Sequence, residues 1–280
     1  MIGSILLPMD KSSHTESGLN LGLEICSRNQ AALEGLAIVD EPALTSTQAK
    51  PLGASGFSDR TKEVLLKEAF ESADELQQKF EEKARTKRIK FLFKRRSGDP
   101  EKEIISELTH NDLLIMGTKT YFKYATQREA CSTFRTVTHA SFRPVILIPE
   151  EIPTIHFDEA IIATDGSPAS LKAVQMFVLL GLAKLYTKIT IIAVSEDQSK
   201  AEKITKDTTI FLAKHGIKSI EKPIQTPGTP WEPVIGYIKN HSPAMLVMGV
   251  YGTGGLKEFF LGSFTSTLIN HATLPIFTSK

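Results

Sequence analysis

Ala160-Ile161-Ile162-Ala163-Thr164-Asp165-Gly166-Ser167-Pro168 is a short apolar run that ends in an aspartate and opens into a turn. The same construction stands 155 residues earlier, as Ile5-Leu6-Leu7-Pro8-Met9-Asp10 followed by Lys11-Ser12-Ser13. Further pairs keep the same order along the chain. Leu36-Ala37-Ile38-Val39-Asp40 matches Ile192-Ala193-Val194-Ser195-Glu196 at an offset of 156. Gly98-Asp99-Pro100-Glu101 resembles Gly228-Thr229-Pro230-Trp231-Glu232 at 130, Leu113–Gly117 matches Met245–Gly249 at 132, and Arg143–Ile146 matches Leu274–Phe277 at 131. One such pair could arise by chance, but five in order point to an internal repeat. The offset drops by about 24 residues between Asp40 and Gly98, so the first copy carries an insertion there. Pro42 to Phe57, rich in Pro, Gly, Ser, Thr and Ala, is its expected loop part, and the extra segment is set at about 41–60.

Each copy alternates short apolar runs with longer amphipathic ones, which implies parallel sheets covered by helices on both faces. In the second copy strands are expected at 158–164, 188–194, 217–223, 244–249 and 274–278. Helices are expected from Pro168 to about Lys184, from Ser199 to His215 with Gly216 as the stop, and over 230–240 and 263–271. Proline just inside a helix start and glycine just past its end are the normal punctuation. Glu150 to Thr154 lacks periodicity and reads as a linker. The expected domains are 1–150 and 156–280, two like units around a pseudo-two-fold axis. Thr61 to Arg88 reads as a long charged helix in the first copy, its Lys and Glu forming a solvated face.

Composition excludes several classes of function. The 280 residues hold 33 Lys and Arg against 32 Asp and Glu, a net charge of +1. The balance is 21 against 21 in 1–150 and 12 against 11 in the remainder, so neither half offers nucleic acid a basic surface. Cys26 and Cys131 are too few for a disulfide framework or a thiolate zinc site. The longest apolar runs fall far short of the roughly 20 residues that span a bilayer. Met1 to Asp10 has no basic leader, so a cytoplasmic protein is expected.

The sharpest local feature is Gly249-Val250-Tyr251-Gly252 followed, nine residues on, by Gly262-Ser263. Glycines after a strand let backbone N–H groups approach an anion, and Ser263 opens a helix whose first N–H groups favour phosphate. The bland alternative is that these glycines only make turns. This spacing is that of the nucleotide motif of the universal stress protein family, which the chain resembles over nearly all of 156–280 and more loosely over 1–150. The looser half keeps Pro8-Met9-Asp10, Gly98-x-Pro100, Met116-Gly117 and Pro144.

The resemblance implies, in each half, a Rossmann-like α/β fold of the adenine-nucleotide α hydrolase type: a doubly wound open parallel sheet of five strands in the order 3-2-1-4-5. Ligands then sit outside the carboxyl ends of strands 1 and 4, where the winding reverses. It implies an adenine and ribose pocket lined by Ala163, Thr164, Asp165 and the backbone of Val194. Met248 would be a pocket wall or an ordinary core residue. Gly249, Gly252, Gly262, Ser263, Phe264 and Thr265 would hold ribose and phosphates. Asp165 would accept from ribose hydroxyls or the adenine amino group, and could also cap the following helix.

The first copy departs from the motif, with Thr120 for the second glycine and Ala130-Cys131-Ser132 where Gly262-Ser263 should recur. It is expected to be mainly structural, although Arg95 and Arg96 could meet another anion. The chain lacks the Ser-x-Gly-Gly-x-Asp-Ser loop of the related hydrolases, a Walker lysine and any acid–base pair. His14, His139, His215 and His271 are scattered and expected at the surface or at helix ends. The expected function is an adenine-nucleotide-binding stress regulator. ATP, AMP or ADP would be held in the second domain, with Mg²⁺ on the phosphates. A homodimer and an unidentified regulatory protein are its expected partners; a membrane and nucleic acid are not. The alternative is a weak ATPase with slow hydrolysis.

Overall fold

The computed structural model describes residues 1–41, 55–118, 132–150, 152, 154–250 and 273–280. The first half runs β1 (Ser4–Met9), α1 (Ser13–Asn29), β2 (Ala32–Val39), α2 (Ser55–Thr86), β3 (Lys90–Ser97), α3 (Pro100–Glu107), β4 (Leu113–Gly117), α4 (Ser132–Ala140) and β5 (Val145–Ile148). The second half runs β6 (Glu159–Ala163), α5 (Pro168–Leu179), β7 (Lys188–Ser195), α6 (Gln198–Lys214), β8 (Ile220–Gln225), α7 (Trp231–His241), β9 (Met245–Gly249) and β10 (Ile276–Ser279). The helix expected at 263–271 lies outside the described residues.

The ten strands among the described residues form one sheet, in the order β3-β2-β1-β4-β5-β10-β9-β6-β7-β8. Each half therefore shows the order 3-2-1-4-5 and is parallel throughout. The two expected sheets merge because β5 and β10 pair antiparallel, Ile146 opposite Phe277 and Val145 opposite Thr278. Unpaired strand edges are a liability, and this seam removes two of them at once. It also turns the halves head to tail, so their strand carboxyl ends lie at opposite edges of the sheet.

Burial follows the pleat. Ile146, Ile148 and Phe277 join one apolar cluster with side chains of α1, α2, α5 and α6. Val145, Leu147 and Ile276 face the other cluster, with α3, α4 and α7. The first cluster runs unbroken across the seam, and Phe177 of α5 meets Phe277 with ring centroids 5.3 Å apart. Rings at this separation interlock as well as bury area.

Two helix boundaries differ from expectation by five residues or more. The helix expected to reach Lys184 ends at Leu179, because Gly181 turns into the left-handed region at φ 81°. The expected loop of the insertion ends early, since α2 begins at Ser55 and spans 32 residues against 17 for α6. Residues 42–54 lie outside the described residues. Gly216, at φ 72°, stops α6 as expected.

The charged face of α2 is also not simply solvated. Glu16 of α1 pairs with Lys79 and with Lys83, the latter at 2.7 Å, and Glu24 pairs with Lys87. Hydrogen bonds from Lys79 and Lys83 bring the Glu16 carboxyl down to about 2. Burial in α1 pushes the Cys26 thiol up to about 12, which leaves it unreactive near neutral pH. Cys131 lies outside the described residues.

Candidate functional site

Register places the carboxyl ends of β6 and β9 side by side. Ala163 stands opposite Met248 in this pair and opposite Ile192 in the pair with β7. The Thr164 N–H donates to the Ile192 carbonyl at 3.0 Å, which carries the chain smoothly off β6 into the turn. β7 and β8 lie on one side of this point and β10 on the other. This is the reversal of winding at which open α/β sheets form a crevice.

Thr164 is buried and its hydroxyl lies 2.9 Å from that of Ser170 in the first turn of α5. The Gly166 N–H donates to the same Thr164 oxygen at 3.2 Å. Ser167 caps α5 by accepting from the Ser170 N–H at 3.3 Å. Asp165 is therefore not the cap. It is exposed, and its carboxylate accepts from the Ser167 N–H at 2.9 Å. Burial of the group would raise its pKa, but hydrogen bonding from Ser167 and Ser170 outweighs this and holds the carboxyl below the usual aspartate value. The result is an ionised acceptor, oriented by its own turn and facing solvent beside the end of β6.

Val194 is half-buried near the end of β7. Met248 is 1% exposed and belongs to the apolar cluster under α7, so its side chain is core. Gly249 has a packing reason to be glycine. A Cβ there would stand 2.5 Å from the Ser170 nitrogen and 2.6 Å from the Ala169 carbonyl carbon. Gly252, Gly262, Ser263, Phe264 and Thr265 lie outside the described residues.

The first half has the same construction with different contents. Asp10 is 1% exposed, and its Oδ1 accepts from the hydroxyls of Ser12 at 2.5 Å and Thr15 at 2.7 Å and from the Ser12 N–H at 3.0 Å. The carboxylate is thus taken up by its own turn. Gly117 is again a packing glycine, since its Cβ would stand 2.5 Å from Cβ of His14. His14 does open a helix, but it is buried at 3% rather than on the surface. Thr120 and Ala130-Cys131 lie outside the described residues.

The basic residues of β3 are engaged. Arg95 pairs with Asp74, Arg96 donates to Glu107 at 2.6 Å, and Lys94 lies 3.0 Å from Glu34. The idea of an anion at Arg95 and Arg96 is not supported by this geometry. Among the described residues no group of three or more His, Cys, Asp or Glu could hold a metal ion, and no helix is long and apolar enough to cross a membrane.

The sequence model of the universal stress protein family matches residues 156–280. Residues 156–280 are a universal stress protein domain. This domain contains both Asp165 and the complete spaced-glycine motif. A universal stress protein from Archaeoglobus fulgidus has the same fold across its length. Its TM-score is 0.72 at 22% identity, with 99% of this chain and 98% of that one covered. A functionally unknown protein from Pseudomonas aeruginosa is also similar, with a TM-score of 0.59 at 12% identity over 100% of this chain and 92% of its own. No curated protein sequence matches. The full-length likeness to the archaeal structure means that the half before the universal stress protein domain has a counterpart in that fold as well.

Proposed function

We propose that the chain is a stress-response regulator of two domains, 1–150 and 156–280, and that the second binds one adenine nucleotide. The observation that carries this reading is the contrast between Asp10, buried and taken up by its own turn, and Asp165, ionised and facing solvent. An oriented carboxylate beside a switch-point crevice suits the vicinal hydroxyls of a ribose, which donate to it together. The acceptor fits the nucleoside end of the ligand.

For the phosphate end the support comes from sequence. Gly252, Gly262 and Ser263 follow β9 in the spacing that presents backbone N–H groups to an anion. The nucleotide, once bound, supplies a polyanion whose phosphates would carry any Mg²⁺. Asp165 orients the sugar, Thr164 and Ser170 fix the turn that carries it, and Ser263 with Thr265 adds hydroxyl donors. Gly262→Val should remove the cradle at a cost of roughly 3–6 kcal/mol if two charged hydrogen bonds are lost.

Purified chain should release a stoichiometric adenine nucleotide on denaturation, identified by mass spectrometry as ATP, ADP or AMP. Release of none, together with no calorimetric signal on titration with ATP or AMP, would refute the proposal. Bound ATP that stays intact for hours supports the regulator; prompt conversion to ADP supports the slow ATPase.

A further inference from the structure

The outer stripe of α5 differs in kind from its counterpart in the first half. At the offset of 155, Leu171, Gln175 and Leu179 correspond to Glu16, Asn20 and Glu24 of α1. In the first half these polar residues meet lysines of α2. Glu16 pairs with Lys79 and Lys83, Asn20 accepts from Lys83 at 2.9 Å, and Glu24 pairs with Lys87. α2 and α6 end alike, with left-handed Arg88 and Gly216, and with the Ile89 and Ile217 N–H groups donating to the Ala84 and Leu212 carbonyls. The offset there is 128, so Lys79, Lys83 and Lys87 correspond to Asp207, Phe211 and His215. The Glu–Lys ridge of the first half is thus replaced in the second by a largely apolar stripe.

That stripe is open. Leu171 and Leu179 are 47% and 49% exposed, Gln175 is exposed between them, and Ile210 on the outer side of α6 is 47% exposed. Among the described residues, Leu171, Leu179 and Ile210 are all but one of the large apolar side chains exposed in the second half, the other being Ile220. Spaced four apart, Leu171, Gln175 and Leu179 share one helix face. A cluster of exposed apolar side chains of this kind marks an interaction surface. It also runs up to the contact between the halves, where the Ile2 N–H donates to the Leu180 carbonyl at 3.0 Å.

The pattern reads the same in both directions. Leu171 and Leu179 stand at equal distances from Gln175, and on α6 Asp207 and Lys214 flank Ile210 and Phe211. The Asn20 contact with Lys83 sets their counterparts, Gln175 and Phe211, at one level along the two helices. A two-fold axis crossing both helices at that level would bring Leu171 to Leu179 of the second copy. It would also bring Asp207 to Lys214 of the second copy, opposite charge to opposite charge. A two-fold contact demands this self-complementarity.

We propose that the outer face of α5 and α6 docks a second copy of this chain in an antiparallel two-fold contact. Leu171, Leu179 and Ile210 form its apolar centre, and Asp207 with Lys214 its charge-matched rim. The proposal does not depend on the nucleotide reading.

The test is sedimentation equilibrium on the full chain across the micromolar range, with melting curves on every variant. The parent should form a dimer. Leu171→Glu and Leu179→Lys each bury an unpaired charge and should each weaken the dimer at least about tenfold. The two substitutions together set opposite charges on facing positions and should recover most of that loss. Asp207→Lys, which alters no apolar contact, should weaken the dimer as well, whereas Leu92→Glu on β3 should leave it unchanged. A parent that stays monomeric throughout overturns the proposal and leaves the face to a different partner. A dimer untouched by folded Leu171→Glu and Asp207→Lys proteins overturns it too. Loss in both single leucine variants without recovery in the double variant overturns the antiparallel arrangement.

Discussion

The Thr164 hydroxyl holds that of Ser170 at 2.9 Å, whereas the equivalent Thr15 hydroxyl donates to Asp10 at 2.7 Å. The residue before the aspartate makes the difference. Met9 precedes Asp10 and offers no hydroxyl, so the helix threonine binds the carboxylate and the carboxylate is buried. Thr164 precedes Asp165, and its hydroxyl lies beside that of Ser170, which itself donates to the Ser167 carbonyl at 3.0 Å. The two strand-end aspartates both accept from their own turns, but Asp10 is buried and Asp165 is exposed.

Thr164→Val keeps the shape and removes the hydroxyl. The Gly166 N–H and the Ser170 hydroxyl then lose a partner in the turn that carries Asp165. ATP affinity should fall by about fivefold, the worth of roughly one hydrogen bond of about 1 kcal/mol. Titration calorimetry on the folded variant measures it, and an unchanged affinity would show that the Thr164 hydroxyl does not position Asp165.

Gly117→Ala and Gly249→Ala should each destabilise the chain by about 1–3 kcal/mol through overpacking. The added methyl would stand 2.5 Å from His14 Cβ in the first case and 2.5 Å from the Ser170 nitrogen in the second. The Gly117 variant should show its loss in thermal melts without any nucleotide. A neutral effect there would mean that the first turn of α1 yields easily.

The fold was legible because two signals repeat. Apolar runs ending in Asp10 and Asp165 mark first strands, and Gly117 and Gly249 mark the ends of the fourth. The seam was not legible. Val145–Ile148 and Ile276–Ser279 read as short buried strands, and nothing local says that they pair with each other. The nucleoside end of the site was partly legible, since Asp165 could be placed but its freedom could not. Its exposure depends on how the turn and the first residues of α5 pack around it, which only three dimensions decide. His14 stands at a helix end as expected, but its burial was not legible, because one buried imidazole leaves no periodic trace.

Acid should loosen the contact between α1 and α2. Hydrogen bonds from Lys79 and then Lys83 bring the Glu16 carboxyl down from 4.5 to about 2. A depressed carboxylate contributes stability that is fully present above its unfolded pKa and is lost as pH falls through the folded one. Glu16→Gln should therefore destabilise the chain at neutral pH, and the difference from the parent should shrink between about pH 4.5 and pH 2. Denaturant midpoints measured across that range check it. A difference that is constant with pH would show that Glu16 contributes no charge-dependent stability.

Phe177→Ala should destabilise the whole chain rather than one half, by about 3–5 kcal/mol. Phe177 is fully buried and meets both Tyr186 and Phe277, in the cluster that crosses the seam. Hydrogen exchange should show faster opening in β5 as well as β10. Faster exchange confined to residues after 156 would show that the halves open separately.

The most direct test of the asymmetry between the halves is a calorimetric titration of the full chain with ATP, run on the parent, on Asp165→Ala and on Asp10→Ala. The account predicts one site per chain in the parent and a clear loss of affinity with Asp165→Ala. With Asp10→Ala it predicts lower thermal stability and unchanged affinity. Two equivalent sites in the parent, or affinity that depends on Asp10 and not on Asp165, would contradict it.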